Sequence, residues 1–190
     1  MKKNNFALFI DRDGVTIHMV KYDYGWDSAQ KLEDVRLEEG VENVIGWANK
    51  RGIPVVEISN QPGVAKGKMS QEVSDAIETT THELLAEKGV GVDKVYICPH
   101  LDGECDCRKP KPGLLLQATK ELDIDLKQSV FLGDKGSDVE VGKLVGCKTI
   151  IFLHDEDLPE KIEEAKKAGA DYKVRSMKEV LIILKKVFAK

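Results

Sequence analysis

The sequence predicts an α/β fold in which helices cover both faces of a parallel sheet. Three observations predict it: short continuous apolar runs, amphipathic stretches of helical length, and the regular alternation of the two along the chain. Parallel neighbours need crossover connections, and right-handed crossovers lay helices over the sheet.

Taken in order, residues 6–10 form the first apolar run and end at Asp11, so they read as a buried strand. Similar runs at 53–58, 92–97, 130–132 and 149–153 read as four more. Helical patterns fill the intervals at 39–50, 70–88, 113–122, 136–145 and 158–168, and an amphipathic helix closes the chain at 176–188. Two stretches, 15–38 and 98–112, stand out as irregular. No repeat, low-complexity tract or Pro/Gly/Ser linker divides the chain, and 190 residues suffice for one core, so a single domain over 1–190 is expected.

Composition narrows the function classes. With 42% hydrophobic and 33% charged residues the chain is neither disordered nor a membrane protein, and its longest apolar stretches, such as 180–184, are too short for a bilayer. No apolar signal core follows Lys2 and Lys3, so a cytoplasmic location is expected. A net charge of -4 supplies no field to draw nucleic acid or an anionic membrane, so any anion must be caught locally. A monomer with no membrane or nucleic-acid partner is the expectation. Four cysteines, three of them crowded between 98 and 107, are unlike a secreted disulfide framework.

In α/β sheets ligands gather at the carboxyl ends of strands, where the polar clusters of this chain lie. Asp11 and Asp13 follow the first strand and precede Gly14. In this pairing Asp11 attacks a phosphate as a covalent nucleophile when a hard cation offsets the repulsion, and Asp13 serves as acid, then base. An Asp-x-Asp-Gly string is equally compatible with a plain polar turn. Asp134, after a later strand, completes an oxygen-rich magnesium site with Asp11 and a backbone carbonyl; Asp138 supports the loop or a metal-bound water, or caps the following helix. Ser59, Asn60 and Gln61 follow the second strand with donors suited to an anionic oxygen. Lys109 is placed to neutralise a transferring phosphoryl group and Arg108 to grip a substrate oxygen.

Cys98, His100, Cys105 and Cys107 offer three thiolates and one imidazole within ten residues, the ligand set of a tetrahedral structural zinc site in loop 98–107. Four protein ligands leave no position for activated water, so such an ion orders the loop and delivers the adjacent Arg108 and Lys109. A disulfide among these cysteines is the alternative. Cys147 reads as a small buried side chain, while His82 and His154 show no metal-ligand spacing along the chain.

Asp11-x-Asp13, Ser59, Lys109 and Gly133-Asp134-x-x-x-Asp138, in this order, resemble the four motifs of the haloacid dehalogenase superfamily of phosphatases. The resemblance implies a three-layer α/β/α Rossmann-like fold, an aspartyl-phosphate at Asp11, acid/base work by Asp13, and phosphoryl stabilisation by Ser59 and Lys109. It also implies magnesium held by Asp11, the Asp13 carbonyl and Asp134. Within the superfamily, Ser59-Asn60-Gln61-Pro62-Gly63, the cysteine loop and Arg108-Lys109-Pro110 resemble the heptose bisphosphate phosphatase and histidinol-phosphatase branch. The Lys135 position implies contact with a heptose substrate, whereas the short cysteine loop is more like histidinol phosphatases. D-glycero-D-manno-heptose 1,7-bisphosphate, cut at its 7-phosphate, is the first substrate expectation, histidinol phosphate the second and a polynucleotide 3'-phosphate the third. Ser59 stands where threonine is commoner, and 15–38 is longer than in either relative. The intervals between motifs are too short for a large cap domain, so an open active site is expected.

Overall fold

The computed structural model describes residues 5–154 and 159–189. Six parallel strands form one sheet in the order β5-β4-β1-β6-β7-β8, with β1 Leu8–Ile10, β4 Val55–Asn60, β5 Lys94–Cys98, β6 Val130–Gly133, β7 Lys148–Phe152 and β8 Tyr172–Val174. A separate antiparallel pair, β2 Val20–Tyr22 and β3 Gly25–Asp27, lies within the segment that reads as irregular in the sequence. The helices are α1 Val41–Asn49, α2 Gln71–Glu87, α3 Gly113–Leu122, α4 Gly136–Leu144, α5 Pro159–Ala168 and α6 Met177–Val187. Leu158, the expected start of α5, lies outside the described residues, as do Lys2 and Lys3.

Alternation along β1 divides the core in two. Leu8 and Ile10 face α1, Leu85 of α2 and α6, while Ala7 and Phe9 face α3 and Val141 of α4. Burial on both faces explains why these strands appear as unbroken apolar runs in the sequence. Val139 of α4 and Ala165 of α5 form a smaller cluster against Ile151 and Leu153. The result is the expected three-layer α/β/α arrangement.

β1 is central, with Leu8 opposite Val55 of β4 on one side and Val130 of β6 on the other. The Asp11 N–H donates to the Leu132 carbonyl at 3.0 Å and carries the ladder one residue further. Ser59, Asp11 and Asp134 therefore stand together at the carboxyl edge of three adjacent strands.

Between β1 and α1 the chain forms the β2–β3 hairpin and one 3-10 turn at Leu32–Asp34, with no larger cap among the described residues. The insert is sewn to the base of the site by Glu38 N–H to the Thr16 carbonyl at 3.0 Å and by the Ile17–Leu37 bridge. No helix among the described residues is long and apolar enough to cross a membrane.

Candidate active site

The turn after β1 is tight: the Arg12 carbonyl accepts from the N–H groups of Thr16 at 2.8 Å and Ile17 at 2.9 Å. Gly14 makes this turn possible, with φ of 83° and no room for a Cβ beside the Asp134 carboxylate. The Thr16 hydroxyl donates to the Asp11 carbonyl at 2.9 Å. Thr16 is a support the sequence motifs do not disclose, because its partner is a backbone atom five residues back.

Asp11 is buried, and its Oδ1 accepts from the Arg12 N–H at 2.8 Å and lies 2.9 Å from Lys109 Nζ. Lys109 is buried as well; its Nζ also meets Asp138 Oδ1 at 2.7 Å and donates to the Ile58 carbonyl at 2.8 Å. One ammonium thus joins a backbone hydrogen bond to two ion pairs. Burial alone lowers the affinity of this amine for a proton, but the Asp11 and Asp138 carboxylates outweigh it and raise the Lys109 pKa above the ordinary lysine value.

Asp138 binds the second acidic cluster to the rest. Its Oδ2 accepts from the N–H groups of Asp134 at 3.2 Å and Lys135 at 3.0 Å, closing the first turn of α4. Burial pushes its carboxyl up to about 6 against the pull of Lys109. A Cβ at Gly133 would overlap the Asp138 side chain, so glycine at this position permits the close approach. Ligand oxygens of Asp11, Asp134 and Asp138 lie within 4.8 Å of one another. Both Asp138 oxygens are engaged with Lys109 and the backbone, whereas Asp134 Oδ1 faces the Lys135 ammonium at 3.4 Å.

Asp13 Oδ2 accepts from the Gln61 side-chain amide and lies 3.4 Å from Arg12 Nη2. The same Gln61 amide donates to the Ser59 hydroxyl at 2.7 Å, so the second strand end is joined to Asp13 through one side chain. Asn60 faces elsewhere: its side chain brackets the Lys109 backbone, accepting from the N–H at 3.0 Å and donating to the carbonyl at 3.1 Å. Arg108 is drawn back to the cysteine loop, donating to the Asp102 carboxylate and, at 3.3 Å, to the His100 carbonyl. Lys135 remains 43% exposed at the rim.

The cysteine loop converges as the spacing suggests. Cys107 Sγ lies 3.2 Å from Cys98 Sγ, 3.2 Å from Cys105 Sγ and 3.4 Å from His100 Nδ1. All four cysteines are free thiols, so the disulfide alternative does not form.

A family model described as HAD-hydrolase-like matches residues 106–180. A D-glycero-alpha-D-manno-heptose-1,7-bisphosphate 7-phosphatase of Campylobacter jejuni is 35% identical, over 94% of this chain and 95% of the relative. A D-glycero-beta-D-manno-heptose-1,7-bisphosphate 7-phosphatase of Haemophilus influenzae is 37% identical, over 76% of this chain and 78% of the relative. Among solved structures, a D,D-heptose 1,7-bisphosphate phosphatase from B. bronchiseptica, complexed with magnesium and phosphate, superposes with a TM-score of 0.80 and 25% identity over 95% of this chain and 99% of that one. The carboxylates at two strand ends, the Ser59 hydroxyl at a third, the buried lysine between the carboxylates and these likenesses lead to one conclusion: the chain is a phosphatase and belongs to the haloacid dehalogenase superfamily, in its heptose bisphosphate phosphatase branch.

Proposed function

We propose that this phosphatase removes the 7-phosphate of a D-glycero-D-manno-heptose 1,7-bisphosphate through an aspartyl-phosphate on Asp11. The observation that supports the chemistry is the Asp11–Lys109–Asp138 chain, which orients a buried carboxylate beside a cation at a strand end. An Asp11 oxygen forms the new bond to phosphorus while the bond to the sugar oxygen breaks, and Asp13 gives its proton to that oxygen. Asp13, now ionised, takes a proton from water as the water attacks phosphorus, releasing inorganic phosphate and the free carboxylate. The Lys109 ammonium and Ser59 hydroxyl offset charge on the transferring group. Lys135 contacts the substrate from the rim, and Gln61 positions Asp13 and Ser59 together. Asn60 and Arg108 act one step removed, holding Lys109 and the loop behind it.

The buried oxygens of Asp11 and Asp134 fit a hard cation, with the Asp13 carbonyl as third protein ligand. When bound, magnesium supplies charge that offsets repulsion between the nucleophile and the phosphate. The Cys98, His100, Cys105 and Cys107 cluster fits zinc. The sulfur separations of 3.2 to 3.5 Å are slightly shorter than the roughly 3.8 Å edge of a tetrahedron with Zn–S near 2.3 Å. Because Lys109 directly follows this loop, removing zinc with a strong chelator in excess magnesium is expected to cost most of the turnover. Added zinc restores it and added magnesium does not; full activity in metal-analysed, zinc-free protein would count against the role.

Comparing kcat/KM on heptose bisphosphate, histidinol phosphate and a 3'-phosphorylated oligonucleotide tests the substrate. The heptose bisphosphate is expected to lead. Preference for either of the others overturns the assignment while leaving the aspartyl-phosphate chemistry intact.

A further inference from the structure

A second group of buried ionisable side chains lies behind Asp13. Glu57 projects from β4 beneath α2, opposite Ile10 in the sheet register, and is fully buried. Glu78 and His82, one turn apart on α2, meet it there: His82 Nε2 lies 3.1 Å from Glu78 Oε1 and 3.9 Å from Glu57 Oε2. None of these atoms makes a well-aligned hydrogen bond among the described residues; both Glu57 oxygens, Glu78 Oε1 and His82 Nε2 are all left without one. The other Glu78 oxygen, Oε2, is taken by Arg12 Nη1 at 2.7 Å.

A buried polar atom left unmatched is destabilising, so four unmatched atoms converging on one point need an explanation. A proton on His82 pairs it with Glu78 at 3.1 Å but does not satisfy Glu57, whose Oε2 at 3.9 Å is too far for a hydrogen bond. Arg12 does not neutralise the pair either, because it also faces Asp13 at 3.4 Å. The one guanidinium is committed to Glu78 and Asp13 and leaves both Glu57 oxygens without a donor.

We propose that Glu57, Glu78 and His82 form a second divalent-metal site, suited to a first-row transition ion such as zinc. One imidazole and two carboxylates match such an ion better than magnesium, which prefers oxygen donors alone. The 3.1 and 3.9 Å separations bracket the roughly 3.4 Å edge of a tetrahedron with bonds near 2.1 Å. His82 is 36% exposed, and Glu78 lines a cavity of about 300 Å³ with Gln61 and Asp75, so the ion has a polar approach. Spacing in the sequence does not reveal this site, because its ligands come from a strand and a helix that only the fold brings together. Through Glu78 and Arg12 the ion lies two side chains from Asp13.

The test is zinc bound per chain at saturation, with the full-length protein in excess magnesium, for wild type, Glu57→Gln and His82→Ala. Wild type is expected to hold one more zinc than either variant, and zinc-edge anomalous scattering should place that ion between the three side chains. Equal zinc content in wild type and a folded variant, or no anomalous peak at this position, overturns the proposal. Should Glu57→Gln fail to fold, His82→Ala decides alone, since His82 is partly exposed and its truncation removes no side chain of the hydrophobic core.

Discussion

Asp11→Asn is expected to lower phosphate release by roughly 10^4-fold or more while the protein remains folded. An amide oxygen still accepts from the Arg12 N–H and from Lys109, the two contacts that fix Asp11 Oδ1 at 2.8 and 2.9 Å. What is lost is the anionic oxygen that bonds to phosphorus, and the amide cannot form the acyl phosphate. Lys109 keeps Asp138 and the Ile58 carbonyl, so the ammonium remains paired. Steady-state phosphate release, a thermal melt and trapping with beryllium fluoride check the three parts. Turnover near wild type, or no fluoride adduct on the unaltered protein, removes Asp11 as the nucleophile.

The positions of these residues follow from what each part of the sequence can signal. Strands β1, β4, β6 and β7 are legible because burial on both faces leaves apolar runs, and β5 is legible as an apolar run although Lys94 and Ile97 are exposed. Their ends are less so: the run at 53–58 marks β4, yet pairing continues through Ser59 and Asn60, which lie inside the strand opposite Ile97 and Cys98. β8 escapes notice because it is only three residues long, with Lys173 exposed at the sheet edge. The β2–β3 hairpin is hidden for a related reason, since no residue in it is buried and no apolar periodicity appears. Asp11, Asp13, Asp134 and the convergence of Cys98, His100, Cys105 and Cys107 are legible from local spacing. Asn60 is legible in position but not in contact: its two amide atoms are committed to the Lys109 backbone 49 residues away. Glu57 sits within an apolar run where nothing local predicts that His82 will face it.

Lys109→Met is expected to injure both stability and catalysis. Methionine nearly fills the space, but Asp11 and Asp138 are then left facing one another, buried at 3% and 1% exposure, without the ammonium that joins them at 2.9 and 2.7 Å. Removing one partner from a buried charge network typically costs about 3 to 5 kcal/mol, and the Ile58 carbonyl also loses its donor. The loss should depend on pH. In the wild-type fold burial already lifts the Asp138 carboxyl to about 6 from an ordinary 3.8, so the folded state favours the proton. A raised carboxyl contributes most below its unfolded value and loses that contribution as pH rises through its folded one. Without Lys109 the lift is larger, so the variant's deficit in urea melts, without added magnesium, is expected to be smaller at pH 4 to 5 than at pH 8. Turnover should fall by roughly 10^2- to 10^3-fold even at temperatures where the variant is folded, because the transferring group loses a preorganised cation. A pH-independent deficit, or turnover restored in full by magnesium, would mean that Lys109 serves neither to join the two carboxylates nor to stabilise the phosphoryl group.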